Sequence, residues 1–385
     1  MPAGPEQLFT VGSEAGFSRW VDGFRARAQA RGIRANVLAA AFADVAYDPS
    51  VIEKDRNQGE FVKPIWEYLD KAVSDERVAN GRKALKQHAK LLKRIEAAYG
   101  VEKEVVVAVW GLESSYGVNR GNLPLVQSLA TLAYDGRRGK FFEQQLMAAL
   151  QIIQAGNVAP ENMTGSWAGA MGHTQFIPTS YLAFAVDFTG DGRRDIWADD
   201  PADALASTAA YLAKSGWKTG RLWGAEVELP TDFDIGLTGD GVRKTAGDWA
   251  ALGVRDMSGR PVSDHGPASI LLPAGARGAA FMIFPNFRAI ERYNAADAYV
   301  IAVGHLSDRL KGGAPIQATW PRDDRALYPA ERQELQERLT AAGFDTGGVD
   351  GKIGPKTIAA VKAFQRTIGM LPDGYASLDI LTRLR

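Results

Sequence analysis

The sequence contains no cysteine, which excludes disulfide bonds, thiol catalysis and cysteine-ligated zinc. It also lacks an excess of charge of either sign, because 45 Lys and Arg residues balance 45 Asp and Glu residues. Without a basic surplus we expect no nucleic-acid partner and no attraction to an anionic membrane. The few histidines are scattered, and neither a His-Glu-x-x-His nor a Gly-x-Ser-x-Gly motif occurs. Zinc peptidases and serine hydrolases are therefore not favoured.

Long apolar runs are scarce as well. The first residues show no charged start followed by an apolar run, so we expect that the chain as given carries no export signal. Residues 162–186 are uncharged and long enough to raise the question of a membrane span. Because Gly165, Gln175 and Pro178 interrupt this stretch, we predict a folded, polar-lined segment and a soluble chain.

The length of 385 residues predicts two or three domains. Helices dominate up to Trp217, as in the stripe formed by Phe17, Val21 and Phe24. Short strand-like segments follow, and a helix is predicted near 295–310. Gly, Pro and charged residues over 312–329 are typical of a linker. Beyond them, 331–341, 356–368 and 378–384 are predicted to form three short helices, the second with a stripe of Ile358, Val361, Phe364 and Ile368.

An apolar run from Val105 ends at Glu113, followed by Ser-Ser-Tyr-Gly. In a helix, Val105 and Val109 lie on the same face as Glu113, so this carboxylate is expected where water is scarce. Desolvation raises the pKa of a carboxyl group, and a protonated carboxylic acid is what general-acid cleavage of a glycosidic bond requires. On this run alone the alternative is favoured, in which Glu113 flanks a buried helix and pairs with Lys or Arg.

A Gly-rich segment from 165 to 181 is too irregular for a core helix or strand. Its glycines allow a ligand or another backbone to come close, and its aromatic residues offer faces for sugar rings. For an isolated loop of this kind an ordinary buried loop is the usual explanation.

Taken together, Glu113-Ser-Ser and this loop resemble the lytic transglycosylases of the membrane-bound B type, a lysozyme-like family that cleaves peptidoglycan. The resemblance continues in the family's order through 187–197, 202–207 and 285–294. It covers about four-fifths of the chain. It implies a mainly α (α+β) fold, with a lysozyme-like core, a helical N-terminal part, a small β insertion and a C-terminal three-helix module. The implied domains are a catalytic region over 1–311 with the insertion at about 225–285, the linker over 312–329, and a peptidoglycan-binding module over 330–385.

The resemblance also implies the site. Glu113 falls on the family's single catalytic acid and base. The positions that line the glycan groove are Ser114, Arg137, Arg138, Ser166, Gln175, Tyr211, Tyr293, Asn294 and Tyr299. Amides suit N-acetyl groups, tyrosine rings stack on sugars and arginines meet carboxylates. For single residues simpler explanations exist: Arg138 could only pair with an acid, and Tyr211 could only belong to a helix core.

The reaction implied by the resemblance uses one carboxylate where most glycosidases use two. Glu113 protonates the oxygen between N-acetylmuramic acid and N-acetylglucosamine and then deprotonates the muramic acid 6-hydroxyl, which closes a 1,6-anhydro ring without water. Two rivals stay open: a muramidase in which water attacks instead, and a wall-binding protein without catalytic activity.

Asp187-Phe-Thr-Gly-Asp-Gly matches the opening of an EF-hand calcium loop, but the twelfth position holds Ala198 instead of Glu. The candidate ligands are Asp187, Thr189, Asp191, Arg193 and Asp203, with Asp199 as the alternative last acid. A structural calcium site and an Asx-turn without metal both fit. No cofactor is expected to be required for catalysis.

The tail, with Gly348-Val-Asp-Gly351 and Phe364-Gln365, resembles the three-helix peptidoglycan-binding module. A helical packing or dimerisation element is the alternative. The expected partners are peptidoglycan strands and, further, other cell-wall enzymes, and we expect a monomer. Because peptidoglycan lies outside the inner membrane, we expect a periplasmic or cell-envelope protein whose export signal or lipid anchor is not part of this chain.

Overall fold

The computed structural model describes residues 12–56 and 63–385. Helices form most of the secondary structure, and the prediction of a mainly α fold is confirmed. The helices are α1 (Glu14–Ala30), α2 (Ala35–Ala41), α3 (Pro49–Arg56), α4 (Ile65–Ala72), α5 (Asp75–Gln87), α6 (Ala89–Tyr99), α7 (Lys103–Ser114), α8 (Leu125–Asp135), α9 (Gly139–Gln154), α10 (Pro178–Phe184), α11 (Ala202–Lys214), α12 (Ala246–Ala251), α13 (Pro285–Glu291), α14 (Asp297–Leu310), α15 (Pro329–Ala341), α16 (Pro355–Thr367) and α17 (Leu378–Leu384). The strands are β1 (Leu123–Pro124), β2 (Thr164–Gly165), β3 (Gly224–Glu228), β4 (Arg255–Asp256), β5 (Ser269–Leu271), β6 (Pro273–Ala276) and β7 (Ala280–Ile283).

The chain divides into two compact units, Met1–Gln58 with Glu113–Ala210, and Gly59–Leu112 with Tyr211–Arg385. In the first unit, α8 and α9 pack against each other through fully buried apolar side chains, and α1, α2 and α3 cover them. Ser13 caps α1 by accepting the N–H of Gly16 at 3.1 Å, which satisfies one of the N–H groups left open at a helix start. Phe17, Val21 and Phe24 of α1 are buried, as their spacing predicts.

The second unit contains a four-stranded antiparallel sheet in the order β4-β3-β7-β5. This sheet lies where the sequence predicts a small β insertion. Its core surrounds the fully buried Trp249, whose indole N–H donates to the carbonyl of Ala268 at 3.0 Å. The three segments predicted to be strand-like, 226–230, 269–272 and 279–284, correspond to β3, β5 and β7. The strands β4 and β6 were not predicted, because β4 has only two residues and β6 contains Pro273 and Gly275, which are uncommon in strands.

The last three helices, α15, α16 and α17, enclose their own apolar core around Leu335, Val361 and Ile380. The predicted stripe of α16 is only half right, since Val361 and Phe364 are buried while Ile358 and Ile368 are exposed by 37% and 38%. The buried face of α16 instead includes Thr357, Ala360 and Gln365. Its polar members are tied down by hydrogen bonds, as in the bond from the Gln365 side-chain N–H to Asp373 at 2.6 Å.

Residues 313–328 form no helix or strand, but they are anchored to the second unit. The carboxylate of Glu226 on β3 accepts the N–H groups of Gln317 at 3.0 Å and Ala318 at 2.7 Å. Further along, the guanidinium of Arg322 makes a two-pronged ion pair with Asp70 at 2.7 and 2.9 Å. These bonds hold the segment in one path, whereas its composition alone is that of a flexible linker. Within the described residues, no helix has the length and apolar character that crossing a membrane demands.

Asp308 on α14 gives a testable effect of pH on stability. Burial raises the pKa of its carboxyl group to about 6, although the Trp223 indole N–H donates to it at 2.8 Å. Since the folded pKa lies above the unfolded value, this group favours folding at low pH, and that contribution is lost as the pH rises through 6. We expect Asp308→Asn, which keeps the acceptor oxygen, to stabilise the protein by about 1–2 kcal/mol at pH 8 and to lose this advantage at pH 4.5.

The measurement is thermal unfolding of both proteins at the two pH values. Asp75→Asn is the matched control, because the Asp75 side chain is 98% exposed and its replacement should not reproduce the pH-dependent gain. Equal melting temperatures of Asp308→Asn and the wild type at pH 8 would contradict the assignment.

Candidate active site

Glu113 lies on the last turn of α7, the helix formed by the apolar run. The side chains of Val105 and Val109 are buried, as predicted, and Glu113 itself is partly exposed. Ser115 and Tyr116 leave the helix with φ of 51° and 62°, followed by Gly117 at 88°. Two consecutive non-glycine residues in the left-handed region are unusual, and such backbone strain concentrates at functional sites. Glu113 is thus a carboxylate at a helix end, next to a strained turn.

Ser114 ties this turn to the Gly-rich loop. Its side chain is 1% exposed, and its hydroxyl donates to the carbonyl oxygen of His173 and accepts the N–H of Gly117 at 2.9 Å. The resemblance implied a substrate contact for Ser114. The structure instead uses its hydroxyl within the protein, since both its donor and its acceptor functions are engaged there.

The Gly-rich loop folds on itself through two isolated bridges, Gly165 with Met171 and Met171 with Phe176. Its first residue belongs to β2, which pairs with β1. Gln175 adopts a left-handed φ of 54°. Its amide N–H donates to the carbonyl oxygens of Arg120 at 3.0 Å and Gly172 at 2.9 Å. The amide nitrogen therefore holds the loop in shape.

Ser166 also acts inside this loop. Its hydroxyl oxygen accepts the N–H of Ala170 at 3.1 Å, and its own N–H donates to the carbonyl of Ala170 at 2.8 Å. Ser166 remains partly exposed. The hydroxyl can still donate to a ligand while it accepts the backbone bond.

His173, within the loop, and Arg120 both contact the segment 197–199. The sequence predicted no role for either residue. His173 is buried, its Nε2 lies 2.7 Å from the carbonyl oxygen of Ala198, and burial lowers the pKa of its imidazole. Arg120 donates to the carbonyl of Trp197 at 2.8 Å and pairs with Asp199 at 2.8 Å. The position of His173 within the Gly-rich segment was an available signal, whereas nothing in the local sequence singles out Arg120.

Arg137 and Arg138 converge on one buried acid. Asp55 on α3 is 1% exposed; it accepts from Nε of Arg137 at 2.8 Å and also pairs with Arg138. The Arg138 guanidinium lies 4.8 Å from the centroid of the Phe142 ring. The simpler explanation for Arg138, pairing with an acid, describes what the structure contains. The side chains of both arginines stay nearly half exposed, so part of each is open to solvent.

The tyrosines predicted for the groove meet within the second unit. The ring of Tyr293 lies 4.8 Å from that of Tyr211 and 6.5 Å from that of Tyr299, with the latter pair nearly parallel at 10°. The Tyr211 hydroxyl donates to the carbonyl of Arg292, and Tyr299 is buried. Asn294 is exposed, and its side-chain oxygen accepts the N–H of Ala296 at 3.0 Å just before α14. Tyr293 thus packs between two other aromatic rings, and Asn294 follows it on the surface.

The Asp187 loop brings three carboxylates together. One oxygen each of Asp187, Asp191 and Asp203 lies within 4.8 Å of the others, and Asp203 is buried. Burial raises the pKa of Asp203, although its oxygens accept the N–H groups of Phe188 at 2.9 Å and Thr189 at 3.0 Å. Asp203 is therefore the third carboxylate of this group, and backbone N–H groups hold it in place.

The other two predicted ligands, Thr189 and Arg193, are hydrogen-bonded to members of this carboxylate group. Thr189 donates its hydroxyl to Asp187 at 3.3 Å, and Arg193 donates its N–H to Asp191 at 2.9 Å. Asp199, the alternative last acid, pairs with Arg120 and is not part of the carboxylate group.

Comparison with known proteins gives a consistent result. The family model described as "Transglycosylase SLT domain" matches residues 16–308, and "Putative peptidoglycan binding domain" matches residues 329–384. Membrane-bound lytic murein transglycosylase B of Escherichia coli (strain K12) is 34% identical over 246 residues. That match covers 62% of this chain and 65% of the relative, so slightly less than two thirds of the relative's length is spanned.

Several solved structures are similar to this chain. SltB3 from Pseudomonas aeruginosa, in complex with NAG-anhNAM-pentapeptide, is 50% identical with a TM-score of 0.94, over 96% of this chain and 99% of that chain. The Escherichia coli lytic transglycosylase Slt35, in complex with calcium, is 29% identical with a TM-score of 0.65, over 81% of this chain and 98% of that chain. The resemblance inferred from the sequence is confirmed.

Proposed function

Because the chain belongs to the family of transglycosylase SLT domains, we propose that it is a lytic transglycosylase that cleaves the glycan strands of peptidoglycan. The observation that carries the proposal is Glu113, a single carboxylate at the end of a buried helix beside a strained turn. The relative SltB3 was crystallised with a sugar–peptide compound that contains an anhydro sugar, which supports the same substrate class for this chain.

In the proposed reaction, Glu113 acts first as an acid and then as a base. It gives its proton to the glycosidic oxygen between N-acetylmuramic acid and N-acetylglucosamine, and that oxygen leaves as the hydroxyl of N-acetylglucosamine. The N-acetyl carbonyl of the muramic acid stabilises the cationic carbon. The ionised Glu113 then takes the proton of the muramic acid 6-hydroxyl, whose oxygen bonds to that carbon. The acid is restored and no water is consumed.

The other predicted residues receive different proposed roles. Ser114 and the amide nitrogen of Gln175 position the Glu113 turn and the loop, because their hydrogen bonds lie within the protein. The Gln175 amide oxygen, Ser166 and exposed Asn294 are the proposed contacts for N-acetyl groups. Tyr293 stacks on a sugar ring, with Tyr211 and Tyr299 as its support. Arg137 and Arg138 meet peptide carboxylates with the guanidinium edges that Asp55 leaves open.

The C-terminal module is proposed to hold the enzyme on its polymer. Residues 329–384 match a peptidoglycan-binding family and fold into three helices around their own core. A second contact with the same polymer raises the local concentration of cleavable bonds. Since the polymer lies outside the inner membrane, we propose a location in the cell envelope, with the protein acting as a monomer.

The products of digested peptidoglycan sacculi test the proposed reaction. Liquid chromatography with mass spectrometry should detect fragments that end in 1,6-anhydromuramic acid, because the ring closes within the substrate. Fragments with reducing muramic acid ends would instead mean that water attacks, and the protein would be a muramidase. Undigested sacculi that nevertheless bind the protein would identify a wall-binding protein without this activity.

We further propose that the Asp187 loop holds calcium. Its donors are carboxylate oxygens and the Thr189 hydroxyl, the hard oxygen ligands that Ca²⁺ takes, and Asp187, Asp191 and Asp203 already lie close enough to share one ion. Slt35, which is similar to this chain, was crystallised in complex with calcium. The ion would join 187–191 to the start of α11, where Asp203 lies, and no step of the reaction passes through it.

Calcium should therefore raise the melting temperature. A ligand at one hundred times its dissociation constant adds about 2.7 kcal/mol to folding stability, so a shift of several degrees is expected in a thermal scan with Ca²⁺ against one with a chelator. Asp203→Asn should abolish this shift. The control Asp199→Asn should keep it, because Asp199 lies outside the carboxylate group. No response of the wild type at millimolar Ca²⁺ would leave the loop as an Asx-turn without metal.

A further inference from the structure

The C-terminal module makes specific contacts with the β-rich part of the second unit. The carboxylate of Asp373, between α16 and α17, accepts the N–H of Ala276 on β6 at 2.9 Å. Lys362 on α16 reaches the carbonyl oxygen of Thr238 with its ammonium group at 3.4 Å. The module therefore contacts the β-rich part in a defined position, and we call this contact region its seat. The module and the β-rich part together form a surface there that neither of them forms alone.

A crevice of about 300 Å³ lies along this seat. Thr238, Leu272 and Asp297 line one wall, and Ile358, Lys362 and Tyr375 of the module line the other. Its volume is at the lower end of the range for small-ligand pockets. The mixture of apolar walls with a few polar groups is typical of a binding site rather than of a packing gap.

Lys362 brings a positive charge to this crevice and makes no ion pair within the described residues. The carboxylate of Asp373 also lines the crevice, but its oxygens accept N–H groups of Gln365 and Ala276. Among the residues that the structure describes, the one hydrogen bond of the Lys362 ammonium group is the long one to Thr238. Burial lowers the pKa of this ammonium group, and the charges of Asp373 and Asp234 only partly oppose this effect. Its aliphatic stem packs against Gly374, which fixes the direction of the side chain. A partly desolvated ammonium group with an incomplete set of acceptors favours binding of an anion.

Asp297 brings a negative charge to the opposite wall. The neighbouring guanidinium of Arg288 pairs with Asp240 and, at 2.9 Å, with Glu291. Across the described residues, no hydrogen bond or ion pair to the Asp297 carboxylate is seen. The Asp297 side chain is exposed on one side, yet desolvation by the surrounding protein raises its pKa. The charges of Asp240 and Glu291 act in the same direction, and the guanidinium of Arg288, which pairs with those two acids, only partly opposes them.

In the described part of the chain, Lys362 and Asp297 thus face one crevice with opposite charges, and neither makes an ion pair. We propose that this crevice binds a peptide that carries both a free carboxylate and an amine, with the carboxylate at Lys362 and the amine at Asp297. Ile358 and Leu272 would receive its aliphatic parts, and the Tyr375 hydroxyl, whose pKa burial raises to about 12, would stay protonated as a donor. The stem peptides of peptidoglycan have this chemistry when their third residue is a diamino acid, so the inference rests on the proposed function and adds a peptide-reading site to it.

The test uses the full chain and a defined probe. The probe is the stem tripeptide L-alanyl-γ-D-glutamyl-meso-diaminopimelate, N-acetylated so that the diamino acid carries its only amine. Isothermal titration at pH 7.5 should show saturable binding with a dissociation constant of about 1 mM or tighter. A second tripeptide ending in D-alanine lacks the amine and should bind more weakly.

Variants separate the two charges. Lys362→Met keeps the stem but removes the charge, and it should weaken binding of both peptides about tenfold or more. Lys362→Arg keeps the charge, and its dissociation constants should lie within about threefold of those of the wild type. Asp297→Asn should weaken only the peptide that carries the amine. Lys356→Met and Asp345→Asn, on module side chains that are 71% and 80% exposed, are matched controls that should bind like the wild type.

The inference is overturned if the wild type shows no saturable binding, or if Lys362→Met and Asp297→Asn bind both peptides as the wild type does. Thermal scans of each variant identify any loss of folding. The lytic reaction is measured separately from anhydro ends. Anhydro ends without tripeptide binding would reject the crevice alone, and tripeptide binding without anhydro ends would reject the proposed reaction alone.

Discussion

Glu113→Gln should reduce the release of anhydro-ended fragments from sacculi by a factor of about 10²–10⁴. The amide has nearly the shape of the carboxyl group but can neither give a proton to the glycosidic oxygen nor take one from the 6-hydroxyl. Because one side chain performs both steps in the proposed reaction, no second group remains to carry either of them. Co-sedimentation with sacculi should persist, since the binding surfaces are unchanged.

The control for this change is Glu104→Gln, on the first turn of the same helix, where the carboxylate pairs with Lys103 at 3.1 Å. It should retain activity within about twofold, because Glu104 lies at the opposite end of α7 from Glu113 and its partner Lys103 is 39% exposed, so that the pair contributes little. If Glu113→Gln keeps the cleavage rate while Glu104→Gln also does, the acid lies elsewhere and the proposed mechanism fails. If Glu113→Gln melts at the same temperature as the wild type, its loss of rate comes from the missing acid and base and not from unfolding.

Gly172→Ala should be among the most damaging single changes in the chain. Gly172 has a φ of 68°, and a Cβ atom at this position would overlap the carbonyl group of Ile196. That carbonyl also accepts the N–H of His173 at 3.1 Å, so the backbone cannot move aside without losing this bond. We expect a loss of more than about 3 kcal/mol of stability, from the left-handed conformation and the displaced backbone together. Activity should fall as well, because Ser114 and Gln175 both hold this loop.

Gly156→Ala is the matched control. Gly156 has a similar φ of 78°, but no atom of the described residues lies within 4 Å of the added Cβ. It should lose about 1 kcal/mol, the cost of the left-handed conformation by itself. Thermal scans and the sacculus assay on both variants measure the difference. Equal effects of the two substitutions would mean that the loop tolerates displacement and does not position the site.

Local sequence patterns predicted most of the helices well. The apolar run ending at Glu113 became α7, and Gly100 ends α6 in a left-handed conformation, as a glycine after a periodic run indicates. These elements were predictable because burial on one face, caps and glycine stops act over a few residues. The mainly α fold with a small sheet and a helical tail is confirmed for the same reason.

The α16 stripe shows where local reasoning failed. Apolar spacing alone placed Ile358 and Ile368 in the core, yet both are more than a third exposed, and Thr357 and Gln365 are buried instead. A polar side chain can be buried when distant partners satisfy it, as Asp373 does for Gln365. Periodicity carries no information about such partners, which come from other parts of the chain.

The site shows the same division. The sequence by itself determined which carboxylate ends the buried helix and which acids belong to the Asp187 loop, because helix periodicity and loop spacing set these relations locally. Only the tertiary structure decided that Asp203 rather than Asp199 completes the acidic group, and that Ser114 bonds to the loop around His173. It also brought Lys362 and Asp297 to one crevice. Each of these joins residues far apart in sequence, and such contacts depend on how the helices and strands pack rather than on any local pattern.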